Sequence, residues 1–336
     1  MKTAIIGTGS WGTALSLVLN QNGHRVTCWT IEEDVLRDIK EKKENIKYLP
    51  GVKVPESVII TGSLEESLLN AEMIVLSVPS QVTGQVVPKI KEFLKADQDP
   101  VWVSVAKGIE NKTYRRISRV IEETGQIPAG RIGVLSGPSH AEEVGRKIPT
   151  AIVSASSELQ TARLIQSIFK NTFFRVYASD DITGVELGGA LKNIIALAAG
   201  ICDGAGFGDN TKAALMTRGL AEIKRLGVKL GANEETFAGL SGMGDLIVTC
   251  MSRHSRNRYV GEQIGKGKTL DEVLAGMVMV AEGVKTTVSA YELSIKHEVE
   301  MPITEQIYLT MFENKPAYEA MIDLMSRSSK IENWDK

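Results

Sequence analysis

The chain has 336 residues, 39 lysines and arginines against 41 aspartates and glutamates, a formal net charge of −2 and 43% hydrophobic residues. That length predicts about two domains, each with its own core, and the balanced charge leaves no basic footprint for nucleic acid or an anionic membrane. Cys28, Cys202 and Cys250 are odd in number and far apart, which excludes a disulfide framework and a cysteine metal site and points to a reducing cytosol.

Residues 1–6 read as a short apolar strand running into Gly7-Thr8-Gly9-Ser10-Trp11-Gly12, after which Ala14, Leu15, Val18 and Leu19 recur at helical spacing. Strand, glycine turn and helix in that order are what a dinucleotide-binding unit needs and favour it over a merely structural turn. Gly7 allows the turn, Gly9 lets the backbone approach a pyrophosphate, and Gly12 lets the helix pack on the strand. The helix N-terminus then offers unpaired N–H groups to the phosphate charge. The opening apolar run is too short for a secretory signal and lacks a small-residue cleavage pattern.

Further along, strands are predicted at 25–30, 58–61, 73–78, 100–106 and 133–136, and helices at 32–43, 81–94 and 114–123. Segments 151–154 and 174–176 are candidate edge strands. Strands apolar throughout and separated by helical patterns predict a parallel sheet covered on both faces. From about residue 185 the strand signals stop, and apolar residues follow helical spacing at 187–201, 213–226, 246–251, 284–295 and 303–311. Residues 275–280 read as a further apolar helix, and 326–336 as a polar tail. The expected fold is α/β, with an N-terminal doubly wound Rossmann-type sheet (1–182), a mostly helical C-terminal domain (183–336) and an active site in the cleft between them. No apolar run reaches the ~20 residues needed to cross a bilayer, and the helix at 187–201 reads as too short to do so.

Lys192 is the only charge between Leu187 and Ile201. An amine among apolar groups loses hydration, which lowers its pKa towards a range useful for proton exchange. Gly188, Gly189, Ala196 and Ala199 share its helical face and would leave room for a close approach. The competing reading is a helix-packing seam whose lysine reaches out to water.

Ligands of open parallel sheets lie beyond the carboxyl ends of the strands, which singles out 7–12, 78–80, 106–108 and 136–141. Lys107 would present a cation at that lip to a ligand, or would be a solvated loop lysine. Asp245, following the glycine-dense turn 239–244, is either a helix N-cap or a carboxylate that orients Lys192 or a substrate hydroxyl. Ser252-Arg253-His254-Ser255-Arg256-Asn257-Arg258 could grip a phosphate through paired guanidinium bonds, or could be an exposed basic loop. The four histidines show no metal-ligand spacing, so no metal is assigned.

Taken in order, these motifs resemble the bacterial NAD(P)-dependent glycerol-3-phosphate dehydrogenase family. The resemblance runs nearly end to end, through Asn45-Ile46-Lys47-Tyr48-Leu49-Pro50, Ala106-Lys107-Gly108, Leu135-Ser136-Gly137-Pro138-Ser139, Gly184-Val185-Glu186-Leu187, Lys192-Asn193, Gly244-Asp245-Leu246, Ser255-Arg256-Asn257-Arg258 and Glu282-Gly283. It implies a cytoplasmic oxidoreductase that exchanges hydride reversibly between glycerol 3-phosphate and dihydroxyacetone phosphate and supplies glycerophospholipid synthesis. A homodimer is common in that family.

By the same resemblance, Gly7, Gly9, Ser10, Trp11, Gly12, Tyr48, Lys107, Ala141, Arg256, Val280 and Glu282 line the cofactor site. Lys107, Gly137, Ser139, Lys192, Asp245, Ser255, Arg256 and Asn257 contact the phosphorylated substrate, and Lys192 transfers the proton. One position departs from the family pattern. Where an arginine or histidine often meets the 2′-phosphate of NADPH, this chain has Thr30 and Ile31, followed by Glu32 and Glu33. Neither a cation nor an acid in the usual ribose position stands out, so both NAD and NADP are expected cofactors. The rival readings are a hydroxyacid or ketopantoate reductase, which the arginine cluster disfavours, and a nucleotide sensor without turnover.

Overall fold

The computed structural model describes residues 1–329, 331 and 332. The chain divides into two compact units, Met1–Ala106 with Arg115–Glu186, and Lys107–Tyr114 with Leu187–Lys336. The short segment Lys107–Tyr114 therefore belongs with the helical half, although its neighbours on both sides belong to the sheet. Ile109, 1% exposed, explains this: it is part of the apolar core formed by Leu191, Ile195, Leu226 and Phe237.

The first unit is built on eight strands: β1 (Lys2–Ile6), β2 (Arg25–Trp29), β3 (Val58–Thr61), β4 (Met73–Leu76), β5 (Val101–Ser104), β6 (Ile132–Ser136), β7 (Thr150–Ser156) and β8 (Phe174–Ser179). They lie in the order β3-β2-β1-β4-β5-β6-β7-β8. Neighbours from β3 through β6 pair parallel, as the apolar runs predict. The strand order reverses between β1 and β4, which is where sheets of this kind bind their ligands.

Two corrections apply to the sheet. β7 runs antiparallel to β6, with Val134 opposite Ala155, while β8 runs parallel to β7. The connection between β6 and β7 carries only the five-residue helix Ala141–Gly145, so the chain re-enters the sheet from the end at which it left. β7 is also interior rather than an edge strand. Along each strand, successive side chains face opposite sides of the sheet. Ile5, Val75 and Val103 thus join one apolar layer with Leu15, Leu135 and Phe169, and Ile6, Ile74 and Trp102 join another with Val87 and Ile121.

The second unit contains no strand among its described residues. Its core surrounds the helix Ile182–Ala205, which has 24 residues and is longer than the 187–201 pattern suggests. By length and composition it could cross a membrane, but 94% of its most apolar window is buried inside the protein. The predicted helix at 275–280 is also corrected. A capping box of Thr269 and Glu272 starts the helix Leu270–Ala275, Gly276 follows it, and 277–280 are not helical. Of the polar tail at 326–336, residues 330 and 333–336 lie outside the described residues.

Candidate active site

In the first unit the glycine turn lies where the strand order reverses. Gly7 has φ +101°, and a Cβ there would sit 2.6 Å from the Ser77 carbonyl oxygen at the end of β4, so only glycine fits. Asn45, wholly buried, locks the turn from behind by donating to the Thr8 carbonyl at 2.9 Å and the Thr13 hydroxyl at 2.8 Å. A Cβ at Gly9 would meet open space. The following helix, Ser10–Gln21, has no side-chain cap and no acid in its first turn. Its first N–H groups and the positive end of its dipole are therefore offered to an anion.

Trp11 packs against Phe174 with ring centroids 6.5 Å apart, and its buried indole N–H has no partner in the protein. Gly12 lies inside the helix, against the backbone of Gly7. This uncapped terminus, the open approach at Gly9 and the orphaned indole N–H fit a pyrophosphate and a polar ligand edge. Tyr48 donates its hydroxyl to Glu32. Ala141 opens a short helix after β6, and Ser139 donates to the Gly137 carbonyl at 2.8 Å.

The second unit holds the charged cluster. Lys192 is 4% exposed and Asp245 1%. Their ammonium and carboxylate meet at 2.7 Å through Oδ1, while Lys107 reaches Oδ2 at 2.7 Å. Lys192 also donates to the hydroxyl of Thr249, which is hydrogen-bonded to the Asp245 carbonyl at 2.6 Å. Asn193, next to Lys192, donates to the Lys107 carbonyl at 2.9 Å and fixes that segment. Burial draws the Lys192 pKa down to about 8; Asp245 opposes the shift and Lys107 adds to it. Burial opposes ionisation of Asp245, but the ammonium groups of Lys107 and Lys192 outweigh it and hold its carboxyl below the usual value.

Local sequence explains how these groups meet. Gly188 faces the Leu240–Gly244 turn so closely that a Cβ would lie 2.7 Å from the Ser241 carbonyl oxygen. The small residue at 188 thus admits the protein's own turn and not an approaching ligand. The turn is π-helical and leads directly into the helix Asp245–Met251, a local widening often found at functional sites. Asp245 makes no capping bond to that helix, so the N-cap alternative falls away. The packing-seam alternative is half right: Gly200 and Gly204 do pack against the backbone of the helix Arg256–Gly265. Lys192, however, stays inside and is paired.

A second group lies in the same unit. Ser255 caps the helix Arg256–Gly265 by accepting from the Arg258 N–H. Asn257 accepts from the Gly283 N–H at 2.9 Å through Oδ1, which leaves its amide N–H groups for a ligand. Arg256 donates to the Val280 carbonyl at 2.8 Å, and Glu282 begins the next helix, Glu282–Lys296. The sequence reading missed Thr249 and the clamp at Asn45. Thr249 could have been found, since it lies four positions after Asp245 and so on the same helical face.

Residues 2–162 match the family model for the N-terminus of NAD-dependent glycerol-3-phosphate dehydrogenase, and residues 181–322 match that for its C-terminus. The chain is 52% identical to the glycerol-3-phosphate dehydrogenase [NAD(P)+] of Agathobacter rectalis over 332 residues, spanning 99% of this chain and 98% of that one. Against the protein of the same name from a Thermoanaerobacter species, identity is again 52%, spanning 99% of each. Among solved structures, the glycerol-3-phosphate dehydrogenase of Coxiella burnetii superposes with a TM-score of 0.91 at 38% identity, covering 97% of this chain and 98% of that one.

Proposed function

The chain belongs to the NAD-dependent glycerol-3-phosphate dehydrogenase family, and from that premise we propose that it interconverts sn-glycerol 3-phosphate and dihydroxyacetone phosphate with NAD(H) or NADP(H). Its product in the reducing direction serves glycerophospholipid synthesis. The observation that carries the chemistry is the buried Lys192 ammonium, held between Asp245 and Thr249.

The nicotinamide cofactor supplies or accepts the hydride; the protein manages the proton. As hydride reaches a ketone carbon, negative charge grows on its oxygen. An ammonium has three hydrogens, and Asp245 and Thr249 take two of those on Lys192. The third is directed to the substrate oxygen, stabilising its charge and then passing across as the proton. A pKa near 8 suits both directions close to neutral pH: the ammonium gives its proton in reduction, and the amine takes one from the alcohol in oxidation. Asp245 and Thr249 fix the nitrogen in place, and burial, with Lys107 adding to it, keeps its pKa low.

Ser255, Arg256 and Asn257, at the N-terminus of the helix Arg256–Gly265, hold the substrate phosphate; the uncapped start of Ser10–Gln21 holds the cofactor pyrophosphate. The unpaired, buried state of all three cysteines supports a cytoplasmic setting, and light scattering on the purified protein would read whether it is a homodimer. The activity is tested by mixing the protein with NADH or NADPH and either dihydroxyacetone phosphate or an unphosphorylated 2-oxoacid. Loss of nicotinamide absorbance with the first substrate alone supports the proposal. Turnover of the 2-oxoacid alone would move it to the hydroxyacid reductases.

A further inference from the structure

In a doubly wound sheet, an acid about twenty residues after the glycine turn accepts from the ribose 2′-hydroxyl of NAD, whereas a cation there receives the 2′-phosphate of NADP. In this chain Thr30 turns inward, 5% exposed, with its hydroxyl accepting from the Glu32 N–H at 3.1 Å. Ile31 is 78% exposed and offers no charge. Glu32 follows immediately, and its carboxylate is held on two sides: the Tyr48 hydroxyl donates to its oxygens at 3.0 and 2.9 Å, and Lys47 donates at 2.5 Å.

We propose that Glu32, positioned by Tyr48 and Lys47 just beyond β2, makes this chain select NAD(H) over NADP(H). The inference rests on the dehydrogenase reading, which places a dinucleotide in the first unit.

Charge and hydrogen bonding both favour this choice. The 2′-phosphate of NADP brings about −1.5 to −2 charges. It would meet Glu32, Glu33 and Asp34 at the start of the helix Glu33–Lys42, whose first turn already carries two of those acids. The cation beside them, Lys47, is shared between Glu32 and Asp34, the latter at 3.1 Å. A ribose hydroxyl can donate to the Glu32 carboxylate, whereas a phosphate dianion can only be repelled by it.

The test is calorimetric titration of the intact protein with NADH, NADPH, ADP-ribose and 2′-phospho-ADP-ribose. Binding is read directly, independently of turnover. The unphosphorylated member of each pair should bind at least ~10-fold more tightly in low salt, and the ratio should shrink as salt screens the repulsion. Glu32→Gln, which keeps an acceptor for Tyr48 but loses the charge, should largely abolish the ratio. Tyr48→Phe should reduce it while leaving the charge in place. Equal or tighter binding of the phosphorylated ligands to the wild type would overturn the proposal. So would a preference that survives Glu32→Gln unchanged. A protein that binds none of the four ligands would instead overturn the dehydrogenase reading, and this inference with it.

Discussion

Lys192 and Asp245 form a buried ion pair at 2.7 Å, and the second oxygen of the same carboxylate serves Lys107 at the same distance. One carboxylate thus neutralises one of two ammonium groups. Truncating it would leave the buried Lys192 ammonium without its carboxylate, and removing one member of a buried pair costs on the order of 3–5 kcal/mol. Asp245→Ala should therefore unfold at markedly lower denaturant than wild type, and its kcat should fall by roughly 10²-fold or more as the lysine loses its orientation. Chemical denaturation and steady-state kinetics on the same preparation test both.

The pH dependence follows from Lys192. Its pKa lies near 8 in the folded protein, and reduction of the ketone needs the protonated form. The rate of reduction should fall about tenfold per pH unit above that value, and oxidation of the alcohol should rise through it. Lys107→Met removes a positive charge that holds the Lys192 pKa down, so both profiles should move to higher pH. Profiles that stay in place would show that Lys107 does not act on the titrating group.

A third prediction concerns stability alone. Glu222, 1% exposed, accepts from the N–H groups of Ile303 at 2.6 Å and Thr304 at 3.1 Å, at the start of the helix Pro302–Phe312. Glu222→Ala strands those donors, at about 1–3 kcal/mol each if they stay buried. The variant should lose thermal stability with KM unchanged. Burial pushes the Glu222 pKa up to about 7 against these bonds. The folded state therefore keeps a proton that the unfolded chain releases, and this group's contribution to stability falls as pH rises from about 4.5 to 7. Thermal melts of wild type and Glu222→Gln across that window should show the wild type losing ground to the variant with rising pH.

Gly7→Ala gives a fourth expectation. Its Cβ would meet the Ser77 carbonyl at 2.6 Å in a backbone conformation of φ +101°, so the glycine turn must shift. Cofactor affinity measured by calorimetry should drop at least tenfold. A variant that folds and binds normally would remove the turn from the cofactor site.

Much of this arrangement was legible in the residues, because the features that matter are local. The glycine turn, the lone charge in an apolar helix and the basic stretch after Asp245 each stand out within a few positions. What the sequence hid depends on distant partners. Whether β7 runs with or against β6 is decided by pairing and by the path of residues 137–149. Segment Lys107–Tyr114 joins the helical unit through Ile109, whose apolar side chain would suit either core. Glu32 follows Ile31 with no local sign of a fixed position, because the groups that hold its carboxylate, Lys47 and Tyr48, come 15 and 16 residues later.

The most direct measurement is the turnover of dihydroxyacetone phosphate by Lys192→Ala beside the wild type, with cofactor binding followed on both proteins. The variant should bind the cofactor as the wild type does yet lose about 10²–10⁴-fold in kcat, the share expected of a positioned proton donor. Turnover within a few-fold of wild type would contradict Lys192 as the group that moves the proton.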